Sequence, residues 1–181
     1  NVVNLQYGFS DKNLDRYVTA FADYEIAQKF SKFSVTASYR KLFESNRQVN
    51  LRFFGGFFLY NESRDSNFFS FALDRPTDYL FDYNYYGRSE ESGVLSQQFI
   101  FAEGGFKSQL EPAFADQWMT TLNASTTIWN WIFAYGDAGF VKNKDESAEF
   151  LYDSGIRLNL VEEYFELFLP VYSSKGFEPE Q

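Results

Sequence analysis

The sequence predicts an all-β chain, an antiparallel up-and-down transmembrane β-barrel of about ten strands. Three observations predict it. Apolar and polar residues alternate over stretches of ten or so residues, short polar turns separate the stretches, and no run approaches the ~18 consecutive apolar residues of a membrane helix. Aromatic residues make up 22% of the 181 residues and Pro numbers only 4, which suits long pleated segments rather than loops. The whole chain, 1–181, reads as one barrel domain and as a fragment of a larger protein.

Taken in order, Val2–Phe9 sets Val3, Leu5, Tyr7 and Phe9 on one face, before the turn-forming stretch SDKNLD. Arg16–Ala27 places Val18, Ala20, Ala22, Tyr24 and Ile26 against Thr19, Phe21, Asp23 and Glu25. Ser31–Phe43 alternates most cleanly, with Phe33, Val35, Ala37 and Tyr39 backed by Lys32, Ser34, Thr36, Ser38 and Arg40. Gln48–Tyr60 follows, and its Gly55-Gly56 pair predicts a bend or bulge. Phe68–Leu73 and Gln97–Lys107 read as further strands, while Asp74–Gly93 has no clear period. Trp118–Ile128 and Ile132–Phe140 form a hairpin around Trp129-Asn130-Trp131, pairing Ile128 with Ile132, Ala124 with Gly136 and Leu122 with Ala138.

The last hairpin, within Ala148–Tyr172, organises the rest. With Glu162-Glu163 as the turn, one face pairs Leu160 with Phe165, Leu158 with Leu167, Ile156 with Leu169 and Ser154 with Val171. The other face pairs Asn159 with Glu166, Arg157 with Phe168 and Asp153 with Tyr172. A one-residue slip would exchange the faces, so the pattern specifies the register. Strands of this length exceed the ~5–6 residues of an average strand and match the ~9–11 of a tilted membrane-crossing one.

The same alternation suits a soluble barrel or sandwich enclosing a hydrophobic ligand, with the faces inverted. Three details point to lipid outside. The apolar faces carry no charge although 23% of the chain is charged, and a midplane Lys or Arg would cost roughly 2–4 kcal/mol there. The opposite faces carry both signs, predicting a lumen charge network of Asp23, Glu25, Lys32, Arg40, Arg52, Asp137, Asp153, Arg157 and Glu166. Large aromatics (Phe9, Phe43, Tyr60, Trp118, Trp129, Trp131 and Phe165) stand near strand ends, as interfacial girdles require. The expected surroundings are outer-membrane lipid and an upstream domain of the same protein, in the outer membrane of a Gram-negative cell.

Composition excludes several chemistries. With neither Cys nor His, thiolate, Ser-His-Asp and HExxH zinc sites are impossible. A formal charge of −9 disfavours nucleic acid as partner. The acid pairs Glu162-Glu163, Glu90-Glu91 and Asp145-Glu146 read as solvated turns rather than cation sites. Asn61-Glu62-Ser63 and Asn123-Ala124-Ser125 match the short glycosylation tripeptide, the second inside a strand. No catalytic residue, metal ligand or cofactor is predicted.

The segments LDRPTDYLFDYNYYGRSEESG, FAEGGFKSQLEPAFADQWMTT, YDSGIRLNLV and YFELFLPVYSSKGFE resemble the C-terminal barrel-like region of flavobacterial (Bacteroidetes) aminopeptidase-N-like zinc metallopeptidases of the gluzincin type. The likeness runs from about Arg40 onward. It implies an envelope-associated peptidase as parent, with this piece as membrane anchor. That family's zinc ligands and catalytic Glu lie on an HExxH helix this chain lacks, so no catalytic residue carries over. A barrel of that kind usually closes with an aromatic-ended strand, which implies that a closing strand is missing here.

Overall fold

The computed structural model describes residues 1–63, 67–74, 102–161 and 165–178. Long strands dominate it: β1 (Val2–Lys12), β2 (Arg16–Ala27), β3 (Phe30–Leu42), β4 (Gln48–Asn61), β7 (Trp118–Trp129), β8 (Ile132–Lys142), β9 (Glu149–Val161) and β10 (Phe165–Ser173). With the short β11 (Gly176–Phe177) they make one antiparallel sheet in the order β1-β2-β3-β4-β7-β8-β9-β10-β11. Each long strand pairs with the next long strand in the chain, an up-and-down meander. The sheet is open among the described residues, with β1 and β11 at its edges.

A long connection, 62–117, joins β4 to β7. Its described parts hold a short 3-10 turn at Asn67–Phe69 and a two-stranded ribbon, β5 (Phe71–Ala72) with β6 (Phe114–Ala115). Phe68–Leu73 is therefore no wall strand. Nor do residues 102–107 form one: Gly104 and Phe106 donate to Ala72 O and Leu73 O, tying an irregular segment to β5. The reason lies in Glu103-Gly104-Gly105, where Gly105 takes a φ of +75° that breaks the pleat. The rest of the expected Gln97–Lys107 strand, most of Asp74–Gly93, Glu90-Glu91 and the Glu162-Glu163 turn lie outside the described residues.

Register follows alternation closely. Glu166 faces Asn159, Leu167 faces Leu158, Phe168 faces Arg157 and Leu169 faces Ile156. Irregularities at both ends of β10 alter the remaining expected pairs. Phe165 pairs with Val161 rather than Leu160, and past Pro170 the partner of Ser154 is Tyr172 and that of Asp153 is Ser173. Proline has no N–H for the ladder, so β10 slips where Pro170 sits. In the β7–β8 hairpin Ala124–Gly136 and Leu122–Ala138 pair as expected, but Ile132 pairs with Trp129 instead of Ile128. Asn130, with φ +44°, makes that tight turn.

Gly55-Gly56 forms no bulge; β4 pairs without a break there on both sides. Gly56 is required by packing instead. A Cβ at this position would lie 2.7 Å from the Phe71 ring, which the connection lays directly on the sheet.

The two faces of the sheet differ in the opposite sense from a water-soluble sheet. The apolar side chains are the exposed ones: Leu5 is 62% exposed, and Val3, Phe9, Leu51, Phe53, Leu122, Phe140, Phe150 and Leu160 are exposed as well. The polar face is covered over much of β2 to β9, where Glu25, Lys32, Asn123, Asp137, Asp153 and Arg157 are buried, whereas Asn4, Gln6 and Ser10 of β1 stay exposed. Toward the rim where 62–117 departs, that covered face becomes apolar. Phe54, Met119, Val141 and Leu151 of the sheet pack there on Phe71, Leu73, Phe106 and Leu110 of the connection.

A candidate functional site on the covered face

Strand alternation sends the predicted charged residues to one face of the sheet, and their described contacts fall in three places along it. Near the connection's rim, Lys32 Nζ lies 3.4 Å from Glu25 Oε1, donates at 3.5 Å to Phe69 O and stands 5.1 Å over the Phe71 ring. Lys32 thus fastens the wall to the connection. Glu103 belongs beside it: its Oε2 accepts from Ala72 N at 3.0 Å. Although the residue keeps some surface, desolvation of its carboxyl raises the pKa above the ordinary 4.5, and Lys32 opposes that rise.

The middle group holds the connection to β7, β8 and β9. Lys107 Nζ is 2.8 Å from Asp137 Oδ2 and also donates to Gly105 O. It stands 5.4 Å over Tyr135 and 5.2 Å over Phe168, so two ring faces also stabilise its charge. Asp153 Oδ2 accepts the Lys107 and Ser108 backbone N–H groups at 2.6 and 2.7 Å. Asn123 joins the group to β4: its Oδ1 accepts from Arg52 at 2.9 Å, and its Nδ2 donates to Asp137 Oδ1 at 2.9 Å and Gly104 O at 3.1 Å. Gly105 is needed here too, since a Cβ would come within 2.7 Å of Asn123 Oδ1.

The third group faces the rim of short turns. Arg157 is 8% exposed; its guanidinium stacks 4.1 Å over Phe133 and its Nη1 lies 3.3 Å from Glu166 Oε1. Arg40 stands over the Tyr17 ring at 5.4 Å. Asp23 accepts from Gln6 at 2.7 Å near the β1 edge. Between the middle and third groups lies a cavity of about 310 Å³, lined by Arg40, Arg52, Arg157, Tyr135, Asp137 and Glu166 among others.

Lys107, Asn123 and Glu103 were not singled out by the charge pattern. Lys107 and Glu103 sit on the irregular segment read as strand, and Asn123 is uncharged. The signal that could have found the first two is the Gly104-Gly105 pair, a turn mark inside an otherwise alternating run.

The central geometry can hold a segment; it is poorly arranged for catalysis. Asp137 and Asp153 are cross-strand partners, but Lys107 and two backbone N–H groups occupy them and both are buried. Asp145 and Glu146 are exposed at a turn. No group of three or more Asp or Glu able to hold a metal ion occurs among the described residues. Asn61 of the first tripeptide is buried and donates to Asp116 O. Asn123 of the second is likewise committed, to the middle group.

Compared with protein-family models, curated proteins and solved structures, the chain finds no match in any of the three.

Proposed function

We propose that this chain is an outer-membrane β-barrel, or most of one, that anchors an envelope protein in the lipid. One observation carries the reading: long strands expose an uncharged apolar face and bury the charged one. In water that arrangement leaves the hydrophobic effect unused on one whole side of the sheet. In a bilayer it satisfies both faces, since lipid covers the apolar side and the charged side pairs internally.

Strand length fits the same reading. The six strands from β2 to β9 that form the sheet's body run 11 to 14 residues. Twelve residues extend about 40 Å, which a tilt of ~45° projects to roughly 28 Å, close to the hydrocarbon thickness. Exposed aromatics stand at the rims, Trp129 and Trp131 at one and Tyr60 and Tyr172 at the other. No helix among the described residues is long and apolar enough to cross a membrane, which says nothing about crossing with strands.

The mechanism is mechanical. The barrel seats and orients an attached domain, and the inward connection fills the interior rather than leaving an open channel. Closing the open sheet into a ring, by joining the β1 edge to the β10–β11 side directly or through further strands, is part of the proposal. So is the parent that the family resemblance implies, an envelope zinc peptidase. An HExxH pattern in sequence preceding Asn1 would support that parent, and a signal peptide there would remove it.

Detergent dependence tests the anchor. The chain is expected to be monodisperse only in detergent and to partition into lipid vesicles. A monodisperse, folded species in plain buffer that ignores vesicles would overturn the membrane reading and leave the soluble barrel or sandwich.

A further inference from the structure

We infer that Asp137 and Asp153 hold one proton between them, and that this proton locks the inward connection onto the sheet. The two residues are direct cross-strand partners on β8 and β9, 3% and 1% exposed. Side chains opposite each other on one face of a ladder have Cβ atoms ~4.5–5.5 Å apart, and these two carboxyls lie within hydrogen-bonding reach of each other. Two ionised carboxylates only accept, so a bond between them requires a hydrogen on one.

Three of the four carboxyl oxygens have donors. Asp137 Oδ2 accepts from Lys107 Nζ and its Oδ1 from Asn123 Nδ2. Asp153 Oδ2 accepts the backbone N–H groups of Lys107 and Ser108. Asp153 Oδ1 is buried and accepts from nothing among the described residues. An ionised Asp153 would carry that bare oxygen beside a second carboxylate, unfavourable both by desolvation and by like-charge repulsion. A hydrogen on Oδ1, aimed at Asp137, relieves both.

Each element packed around the pair contributes a named group. The connection supplies Lys107, β8 supplies Tyr135, and β4 sends Arg52 to Asn123. Glu178, beyond β11, acts electrostatically on Tyr135 as the two acids do, and β10 adds the Phe168 ring beside Lys107. None of them donates to Asp153 Oδ1. Asp153 is also the residue that receives the backbone of the connection at Lys107 and Ser108. Losing the shared proton puts a second negative charge at this seat, so the connection loosens as pH rises. The lock lies on the covered face alone, and it stands whether lipid or water meets the opposite face.

Infrared spectroscopy of the folded chain tests the proton directly. At about pH 6, where an ordinary Asp (~3.9) is ionised, the spectrum should contain the carbonyl stretch of an un-ionised carboxylic acid. Glu103→Gln should keep that band and Asp153→Asn should lose it. In Asp153→Asn an amide N–H stands where the shared O–H was, so the lock closes without a titrating proton. Amide hydrogen exchange at Lys107 and Ser108 reads the lock itself. The ratio of the wild-type rate to the Asp153→Asn rate at equal pH should rise with pH, by up to ~tenfold per unit, because one proton is linked to release. Absence of the band in Glu103→Gln, its survival in Asp153→Asn, or a ratio that stays flat to about pH 9, below the ordinary Lys range, would overturn the proposal. If Asp153→Asn does not fold, Asp137→Asn takes its place under the same criteria.

Discussion

Lys107 Nζ and Asp137 Oδ2 meet at 2.8 Å with their side chains 4% and 1% exposed, joining the connection to the middle of the sheet. Removing one member of a buried pair leaves the other charged and desolvated, which typically costs about 3–5 kcal/mol. Asp137→Asn and Lys107→Met are therefore expected to lower unfolding stability by about that much. The exposed Arg16–Asp11 pair should show a coupling of only ~0.2–1 kcal/mol. Double-mutant cycles on both pairs, read by denaturant unfolding, make the comparison; equal couplings would contradict a buried latch.

Gly56→Ala should destabilise by about 1–3 kcal/mol, because the added methyl meets the fully buried Phe71 ring. Gly55→Ala is the control. Its Cβ would meet only the Phe53 ring, 3.2 Å away and on the exposed face, so a much smaller loss is expected. Thermal unfolding of the two variants separates packing from strand propensity, which is common to both.

Leu122→Arg tests what covers the apolar face. Leu122 is 52% exposed, with Phe53 and Ala138 as its cross-strand partners. Under lipid the change costs roughly 2–4 kcal/mol; under water an exposed substitution stays within about 0.5 kcal/mol. Unfolding from vesicles gives the answer, and a neutral effect there would count against lipid contact.

Glu103 predicts a pH slope. Its folded-state pKa lies above the ordinary 4.5, so between the unfolded and folded values the folded chain holds the proton more tightly. Its contribution is fully present below the unfolded value and falls as pH rises through the folded one. Glu103→Gln retains an oxygen for Ala72 N–H but cannot ionise. Relative to the variant, wild type should lose stability as pH rises from about 4.5. Unfolding of both proteins across that range checks the sign; a rising difference would refute it.

Much of the sheet was legible because its pairing is local in the chain. Leu158 opposite Leu167 and Ala124 opposite Gly136 follow from period-two alternation and a nearby turn. The exceptions have local chemical causes, such as Pro170 shifting Ser154 to Tyr172. The segregation of Arg157 and Asp153 from Leu158 and Ile156 is likewise a matter of odd and even positions.

Alternation and turn chemistry alone specify an all-β meander with one charged and one uncharged face. That residues 102–117 lie off the sheet and over its charged face, and that Lys107 is the partner Asp137 meets there, was settled by the fold. The physical reason is range. Lys107 reaches Asp137 and Asp153 across 30 and 46 positions, through side-chain geometry that no periodicity encodes. Alternation assigns a residue to a face; which charge it meets there depends on where a non-periodic segment comes to rest.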